Sequence, residues 1–374
     1  MRFHVKRPHW SHLLAAAALA FALSLAACTG VTNPDGWAAP VFGPDNVAYL
    51  QLKPGVLTAL SLTDHKELWA FPDPGNAQQK KLHLGGFYAT PALDAQHNRL
   101  YLAAFDGDVY ALDISPSATT RLLWTRDLAS PIVGGIILNG DRLYTCTRAG
   151  RCAALSPDNG TILASTTLPG QVWAAPVPFT GGIVVPSMDH RLYAFDADLH
   201  QIWRTPPALG GAVAATPAVS GGTLYVGALN SEFYAVSTAT PSVAWQNSAA
   251  RSWFWSTPVV ADGAVYCANL DGHLYAFTPE GALKWVAAIG KPARSTPVLL
   301  NGVLVVADRS GFVHGLRTSD GSEAWAPQTL AAGVDADLVV HNNLVYAITK
   351  PSGSGAHLYT IDPATGALNQ IATK

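Results

Sequence analysis

The sequence predicts an all-β fold, an eight-bladed β-propeller built from four-stranded antiparallel blades. A pattern of two turn signals and two apolar runs, seen in "VVADGAVYCANLDGHLYAF" at 259–277, returns about every 40 residues from Trp37 almost to the C-terminus. No helical periodicity interrupts these copies. Repeats of four short strands at this period are typical of propeller blades, which pack radially around a central channel.

Each copy is predicted to be a meander whose first three strands carry their own sequence markers. A proline starts the first strand in six copies, at an inner edge where a missing N–H costs little: Pro40, Pro91, Pro176, Pro217, Pro258 and Pro297. Residues that tolerate positive φ form the turn before the second strand, for example Asp262-Gly263 and Asn342-Asn343. The third strand has a small second residue in every copy: Ala59, Ala111, Ala154, Ala194, Ala235, Ala276, Gly315 and Thr360.

The fourth strand of six copies ends in a tryptophan, for which we predict a structural role in packing one blade on the next. These residues are Trp69, Trp124, Trp203, Trp245, Trp285 and Trp325. The third and eighth copies have Ala164 and Gln370 at the aligned position. Closure of the ring stays open, because no interdigitated closing blade is obvious and residues 29–36 are candidates for an extra strand.

Composition describes a folded body without a polyanion-binding surface. Of 374 residues, 49% are hydrophobic and 13% charged, which allows a large core. A formal net charge of -2 gives no basic field for nucleic acid, so we exclude nucleic acid as a partner. We also expect the propeller to be monomeric.

The N-terminal segment indicates export. Basic residues precede an apolar stretch from Leu13 to Ala27, which ends in "LAAC". Residues 1–28 resemble a bacterial lipoprotein signal peptide with a lipobox, which implies cleavage before Cys28 and lipidation of its sulfur. A plain signal peptide or an uncleaved anchor is the alternative. Residues 29–36 would then be a short tether, and 37–374 the propeller.

Blades of the form "TPVV...DG.VY....DG.LYAFD...G...W" resemble the PQQ-like (pyrroloquinoline-quinone-like) repeat family of β-propellers. Together with the lipobox and the length, the chain resembles the BamB-type lipoproteins of outer-membrane β-barrel assembly. This resemblance implies a non-catalytic scaffold that binds other envelope proteins through its loops and propeller face and touches the membrane only through its lipid. It also implies an outer-membrane location facing the periplasm in a cell with two membranes, and otherwise the outer face of the cytoplasmic membrane.

The alternative from the same fold is a PQQ-dependent dehydrogenase or another small-molecule-binding propeller. Resemblance to such enzymes implies PQQ, Ca2+, a carboxylate base and often an adjacent cysteine pair. This chain has no adjacent cysteines, four glutamates and no cluster of acids that could supply six to eight oxygens to calcium. We therefore predict no cofactor, no metal and no catalytic residue.

One set of equivalent positions predicts a binding site at the mouth of the channel. Six residues located three positions before the aligned proline position are aromatic or charged: Trp37, Tyr88, Trp173, Trp255, Arg294 and Asp335. Ile132 and Ala214 complete this ring of eight. Such a mouth suits stacking on a planar ligand or holding an extended peptide, but the same aromatics could instead fill the channel and pack blade against blade.

Two further features bear on function. Cys146 and Cys152 flank the hairpin "TRAGR", and a three-residue loop places them on the same side of paired strands, so a disulfide is permitted but not required. Cys267 is predicted to be a buried strand residue. The insertion at 72–86 and the longer hairpin at 351–355 are candidate binding loops, with idle solvated loops as the alternative.

Overall fold

The computed structural model describes residues 36–82, 84–119, 121–351 and 355–373. The predicted signal segment, Cys28 and the tether up to residue 35 lie outside these ranges. Eight antiparallel sheets make up the described chain, which confirms the eight-bladed propeller. Its helical segments are two single 3-10 turns, Pro44–Asn46 and Gln79–Lys81, and neither has the length or apolar character to cross a membrane.

The strands follow one another in chain order within each sheet. Blades 1 to 4 contain β1 (Val41–Gly43), β2 (Val47–Lys53), β3 (Val56–Ser61) and β4 (Glu67–Phe71); β5 (Ala92–Asp94), β6 (Arg99–Ala103), β7 (Asp108–Asp113) and β8 (Leu122–Asp127); β9 (Ile136–Asn139), β10 (Arg142–Cys146), β11 (Arg151–Leu155) and β12 (Ile162–Thr167); and β13 (Val177–Phe179), β14 (Gly182–Pro186) and β15 (Leu192–Phe195).

Blades 5 to 8 have four strands each. They contain β16 (Ala218–Ser220), β17 (Thr223–Gly227), β18 (Phe233–Ser237) and β19 (Ser242–Asn247); β20 (Val259–Ala261), β21 (Ala264–Ala268), β22 (His273–Phe277) and β23 (Leu283–Ala288); β24 (Val298–Leu300), β25 (Val303–Ala307), β26 (Phe312–Arg317) and β27 (Glu323–Thr329); and β28 (Val339–His341), β29 (Leu344–Ile348), β30 (His357–Ile361) and β31 (Leu368–Thr373).

The turn and proline markers predicted from the sequence fall where expected. Every turn between the first and second strand of a blade contains at least one residue with positive φ, and Asp262 (φ 51°) and Gly263 (φ 67°) are both left-handed, as a tight hairpin turn requires. Each of the six prolines directly precedes the first strand of its blade. Because that strand is the edge nearest the channel, the missing N–H breaks no ladder.

Blade 4 departs from the predicted four strands. After Phe195 only isolated bridges continue the sheet, Phe195 to Gln201 and Arg191 to Ala208. Between them the chain runs through Pro206-Pro207, two residues that have no N–H to donate to a ladder. The outermost segment of this blade is therefore irregular, although Trp203 and Leu209 still pack inward.

The hydrophobic core is divided into eight clusters, one at each seam between neighbouring blades. The seam between blades 8 and 1 closes the ring. Here Leu50 packs in one cluster with Ile348 and Leu358, and Phe42 stacks on His341 with ring centroids 4.3 Å apart. Blade 8 is completed by its own four strands. In the described chain, therefore, the ring closes by packing of side chains and not by a strand shared between the two ends.

The tryptophans of the fourth strands pack on the backbone of their own sheet. Ala276 pairs with Trp285 across β22 and β23, and Gly315 pairs with Trp325 across β26 and β27. A Cβ added to Gly315 would collide with the Trp325 ring. The small residue of the third strand thus makes room for the indole.

Four of these tryptophans also reach across the seam to the next blade. Their indole N–H groups donate to a carbonyl in the turn after its third strand: Trp124 to Pro157 (3.0 Å), Trp245 to Pro279 (2.8 Å), Trp285 to Thr318 (3.0 Å) and Trp325 to Pro363 (3.0 Å). A glycine of the same turn lies against each ring, where an added Cβ would approach a ring atom to 2.5 or 2.6 Å: Gly160, Gly281, Gly321 and Gly366. Trp69 instead lies under the Arg121 guanidinium at 4.8 Å, and Trp203 is buried between blades 4 and 5.

Blades that lack the tryptophan show the converse arrangement. In blade 8 the residue opposite Thr360 is Asn369, so the alignment of Gln370 with the tryptophan position is wrong by one residue, because a bulge shifts the register. Blades 1 and 4 pack on blades 8 and 3, and the turn after their third strand carries His65 (φ 59°) and Leu199 (φ 58°). Both residues have a Cβ and adopt the left-handed conformation. Glycine is therefore found in this turn where the preceding blade presents an indole that donates across the seam, as with Trp124, Trp245, Trp285 and Trp325.

Candidate functional site

The six aromatic and charged residues predicted at the channel mouth line one cavity of about 490 Å³ at the centre of the ring. Ala214 lines it as well, whereas Ile132 is 1% exposed and packs in the seam between blades 2 and 3. At this blade Gly134 replaces the usual threonine, and a Cβ there would collide with the Ala174 carbonyl of blade 4. The loops entering blades 3 and 4 thus approach each other closely, and Ile132 is the one member of the predicted ring that the cavity does not contact.

The aromatic side chains of the mouth are half-buried and contact one another. Trp37 meets Tyr88 edge to face at 4.1 Å between centroids, and Trp173 lies 6.1 Å from Trp255. Arg294 lies between the two pairs, with its Cζ 3.6 Å from the Trp37 centroid and 4.2 Å from that of Trp255. Burial among these rings lowers the pKa of Arg294 to about 10, so the guanidinium stays charged at neutral pH.

Two carboxylates complete the charged side of the mouth. Asp335 pairs with Arg309 (Nε to Oδ1, 2.8 Å) and with Lys350 (Nζ to Oδ2, 3.0 Å). Asp337, which sequence reasoning missed, also lines the cavity and accepts the backbone N–H of Thr296 at 2.7 Å. Burial raises the pKa of Asp337.

A second ring, one residue before the proline, was not predicted. Thr90, Thr216 and Thr257 face the cavity together with Asp337. The Thr216 hydroxyl accepts the N–H of Ala175 in the preceding blade at 3.2 Å, and Asp337 accepts that of Thr296 in the same way. The repeated "TP" in "ATP" and "STP" marks these threonines in the sequence, but the prediction drew only on the proline.

Cys146 and Cys152 lie directly opposite each other in the register of β10 and β11. The Thr147 N–H donates to the Arg151 carbonyl at 2.8 Å, which closes the three-residue loop between them. The structure joins the two sulfurs at 2.03 Å. Cys267 is free and buried, and burial raises the pKa of its thiol.

Within the described residues, no group of three or more His, Cys, Asp or Glu side chains is placed to hold a metal ion. The two carboxylates of the mouth are already engaged, Asp335 by two cations and Asp337 by a backbone N–H. These donors do not make the oxygen-rich shell that calcium needs.

The described part of the insertion at 72–86 is a loop that contains one short 3-10 turn. The side-chain oxygen of Gln79, in the 3-10 turn Gln79–Lys81, accepts the Asp73 N–H at 2.8 Å. This hydrogen bond connects the turn to the start of the loop. His83 lies outside the described residues, as do residues 352–354 of the blade 8 hairpin.

Radial four-stranded repeats, seam tryptophans and an aromatic channel mouth define the chain as a PQQ-type repeat β-propeller. The family model described as outer membrane protein assembly factor BamB matches residues 106–210 and 200–367, more than half of the chain. The chain belongs to this family.

Among solved structures, the chain is similar to BamB from Moraxella catarrhalis, at 19% identity and a TM-score of 0.67, over 83% of this chain and 93% of that one. It is also similar to the computationally designed Ika8 protein, at 14% identity and a TM-score of 0.70, over 88% and 97% of the two chains. At these identities the likeness shows the fold alone. A comparison with curated proteins found no match.

Proposed function

We propose that this protein is a non-catalytic interaction scaffold of the cell envelope that serves outer-membrane protein assembly. Membership of the BamB family supports the assembly role and an envelope location. The observation that carries the proposal is the channel mouth, where half-buried aromatic rings and paired charges converge on one face of a closed ring. Aromatic and arginine side chains in such a setting are typical of protein-binding surfaces.

The loops around the mouth are held in a fixed arrangement, which suits a docking surface. In six blades a backbone N–H of the turn between second and third strands donates to the loop that enters the same blade: Arg148 to Pro131, Met188 to Gln171, Leu229 to Ala212, Leu270 to Trp253, Arg309 to Pro292 and Lys350 to Gly333, at 2.7 to 3.1 Å. A surface ordered before binding loses less conformational entropy when a partner docks.

The proposed attachment to the membrane is a lipid on Cys28, with residues 29–36 as tether. The sequence supports it, because the lipobox "LAAC" follows an apolar export segment. Growth with a labelled fatty acid should label the wild-type protein. The Cys28→Ser variant should be unlabelled and released from membranes; label that persists in this variant would contradict the anchor.

Partner capture tests the docking surface. We expect chemical cross-linking in intact cells to recover proteins of the outer-membrane assembly machinery, and a Trp173→Ala/Trp255→Ala double variant to lose them. Trp253→Ala is the matched control, because Trp253 is 48% exposed on the same entry loop as Trp255 but its side chain does not line the cavity. Undiminished capture by a folded double variant would contradict docking at the mouth.

The alternative, a PQQ-dependent enzyme, makes an opposite prediction for ligand-dependent stability. A ligand that binds the folded state raises its melting temperature. The scaffold proposal expects no change in melting temperature on adding PQQ and Ca2+, alone or together, and a saturable increase would favour the enzyme.

A further inference from the structure

A second cavity, of about 520 Å³, lies at the seam between blades 1 and 2. Blade 1 lines it with Tyr49, Trp69 and the turn at Asp45, and blade 2 lines it with Ile114 and Arg121. The turns around it join first to second and third to fourth strands, whereas the channel mouth is built from loops that lead into the first strands. The cavity therefore lies on the face opposite the mouth.

The two aromatic residues of this cavity match a pair that binds a carbonyl at the next seam. Tyr49 and Trp69 occupy the same strand positions as Tyr101 and Trp124 of blade 2. Ring centroids are 5.6 Å apart in the first pair and 6.0 Å in the second, at interplanar angles of 40° and 36°. The Tyr101 hydroxyl (3.3 Å) and the Trp124 indole N–H (3.0 Å) both donate to the Pro157 carbonyl. Such a pair is therefore a binding site for one backbone carbonyl.

The corresponding donors of blade 1 have no acceptor within the described part of the chain. The Trp69 indole contacts the Tyr49 ring and the Arg121 guanidinium, but its N–H makes no hydrogen bond there, and neither does the Tyr49 hydroxyl. Burial raises the pKa of Tyr49 to about 12, so the hydroxyl keeps its proton at neutral pH. Two donors thus line a cavity and are available to a ligand.

The turn of blade 2 differs from the turns that supply the acceptor elsewhere. In blade 3, four residues separate Ser156 from Thr161, and in blade 2 seven residues separate the corresponding Asp113 and Arg121. The carbonyls of Asp113 and Ser115 accept Nη1 of Arg121 at 3.2 and 2.6 Å. The wall on this side of the cavity is therefore a guanidinium held by backbone carbonyls, and not the short glycine turn of the regular seams.

The regular seams indicate the chemistry of the absent acceptor. At all four the indole N–H donates to a backbone carbonyl, and at three of them this carbonyl belongs to a proline: Pro157, Pro279 and Pro363. Proline has a fixed φ, so a segment that contains it loses little conformational entropy when it docks in an aromatic groove. The cavity itself has one carboxylate, Asp45, and one guanidinium, Arg121, a balance that favours an uncharged segment.

We propose that this cavity binds a proline-containing segment of a partner protein, with one backbone carbonyl on the Trp69 indole N–H and the Tyr49 hydroxyl. Leu68, which is 53% exposed, and Pro116 extend the apolar wall on which prolyl rings can pack. The site goes beyond the docking proposed at the mouth, because it lies on the other face of the propeller.

Peptides test the proposal on the purified propeller. The probe is acetyl-hexaproline amide, and acetyl-hexaalanine amide is a control of equal length that also has a carbonyl at each residue. In heteronuclear NMR spectra, hexaproline should shift the indole N–H resonance of Trp69 saturably, and the resonances of Trp173 and Trp255 report binding at the mouth. No saturable shift at Trp69, equal affinities for the two peptides, or shifts of the mouth tryptophans alone would overturn the proposal.

Matched substitutions assign the affinity to the two donors. Trp69→Phe and Tyr49→Phe keep an aromatic ring but remove a donor, and each should lower the affinity for hexaproline about twofold to tenfold, the contribution of one neutral hydrogen bond. Trp124→Phe and Tyr101→Phe remove the same donors where Pro157 already supplies the acceptor, and should leave the affinity unchanged.

Surface plasmon resonance measures these affinities, and circular dichroism shows whether each variant is folded. An affinity that is unchanged in folded Trp69→Phe and Tyr49→Phe, or lowered equally by Trp124→Phe, would overturn the proposal. Because the capture experiment at the mouth concerns other residues and needs partner proteins, either proposal can fail without the other.

Discussion

Replacing Gly366 with alanine should destabilise the propeller through the seam between blades 7 and 8. Gly366 has φ +75°, and an added Cβ would lie 2.6 Å from Cδ2 and Cε3 of Trp325. A left-handed alanine costs about 1–2 kcal/mol, and overpacking a well-filled site costs about 1–3 kcal/mol more. We therefore expect the free energy of unfolding to fall by about 2–5 kcal/mol.

Gly302 provides a control with almost the same backbone conformation. Its φ is +77°, and a Cβ there would meet nothing within 4 Å. Gly302→Ala should thus lose only the backbone contribution, about 1–2 kcal/mol. Urea unfolding followed by circular dichroism measures both losses. In a Trp325→Ala background the additional loss at Gly366 should disappear, as a double-mutant cycle would show. Equal losses at the two glycines, or an excess that persists without the indole, would refute the packing explanation.

Three further results are expected. Burial lowers the pKa of His341, so the unfolded chain binds more protons below about pH 6.5; stability relative to a His341→Phe variant should fall as the pH drops below that value, and parallel pH profiles would contradict this. Alkylation under denaturing conditions should modify two more sulfurs after reduction, those of Cys146 and Cys152, and equal masses would mean that both are thiols. Trp285→Ala should cost about 3–5 kcal/mol in urea unfolding, because it removes a large side chain and a hydrogen bond across the seam; a loss below 1 kcal/mol would contradict that role.

The turns and edge strands of the fold could be predicted from the sequence because they depend on backbone chemistry. Turn pairs such as Asp262-Gly263 need positive φ whatever surrounds them, and the prolines are restricted to an edge position. The mouth residues could be placed because equivalent positions of a repeat lie at equivalent points of a ring. Arg294 and Asp335 could therefore be assigned to one cavity from their repeat positions alone, without knowledge of the neighbours of either.

The individual contacts between blades could not be predicted from the sequence. The glycine in "G...W" was visible as part of the repeat, but its partner is the tryptophan of the preceding copy, as Gly366 and Trp325 show. The irregular edge of blade 4 depends on Pro206-Pro207, and a tryptophan at 203 gave the impression of a regular strand. The position of Arg294 between two rings depends on side-chain packing across several blades, which periodicity does not encode.

The closure at blades 8 and 1 has a consequence for how the protein folds. Since each sheet consists of consecutive strands, no ladder has to wait for residues from the far end of the chain. Blades can form in the order in which they are synthesised, and each can stack on the blade before it. The seam between blades 8 and 1, to which Phe42 and Leu50 contribute, requires the whole polypeptide, so the last step of folding is the meeting of two preformed surfaces.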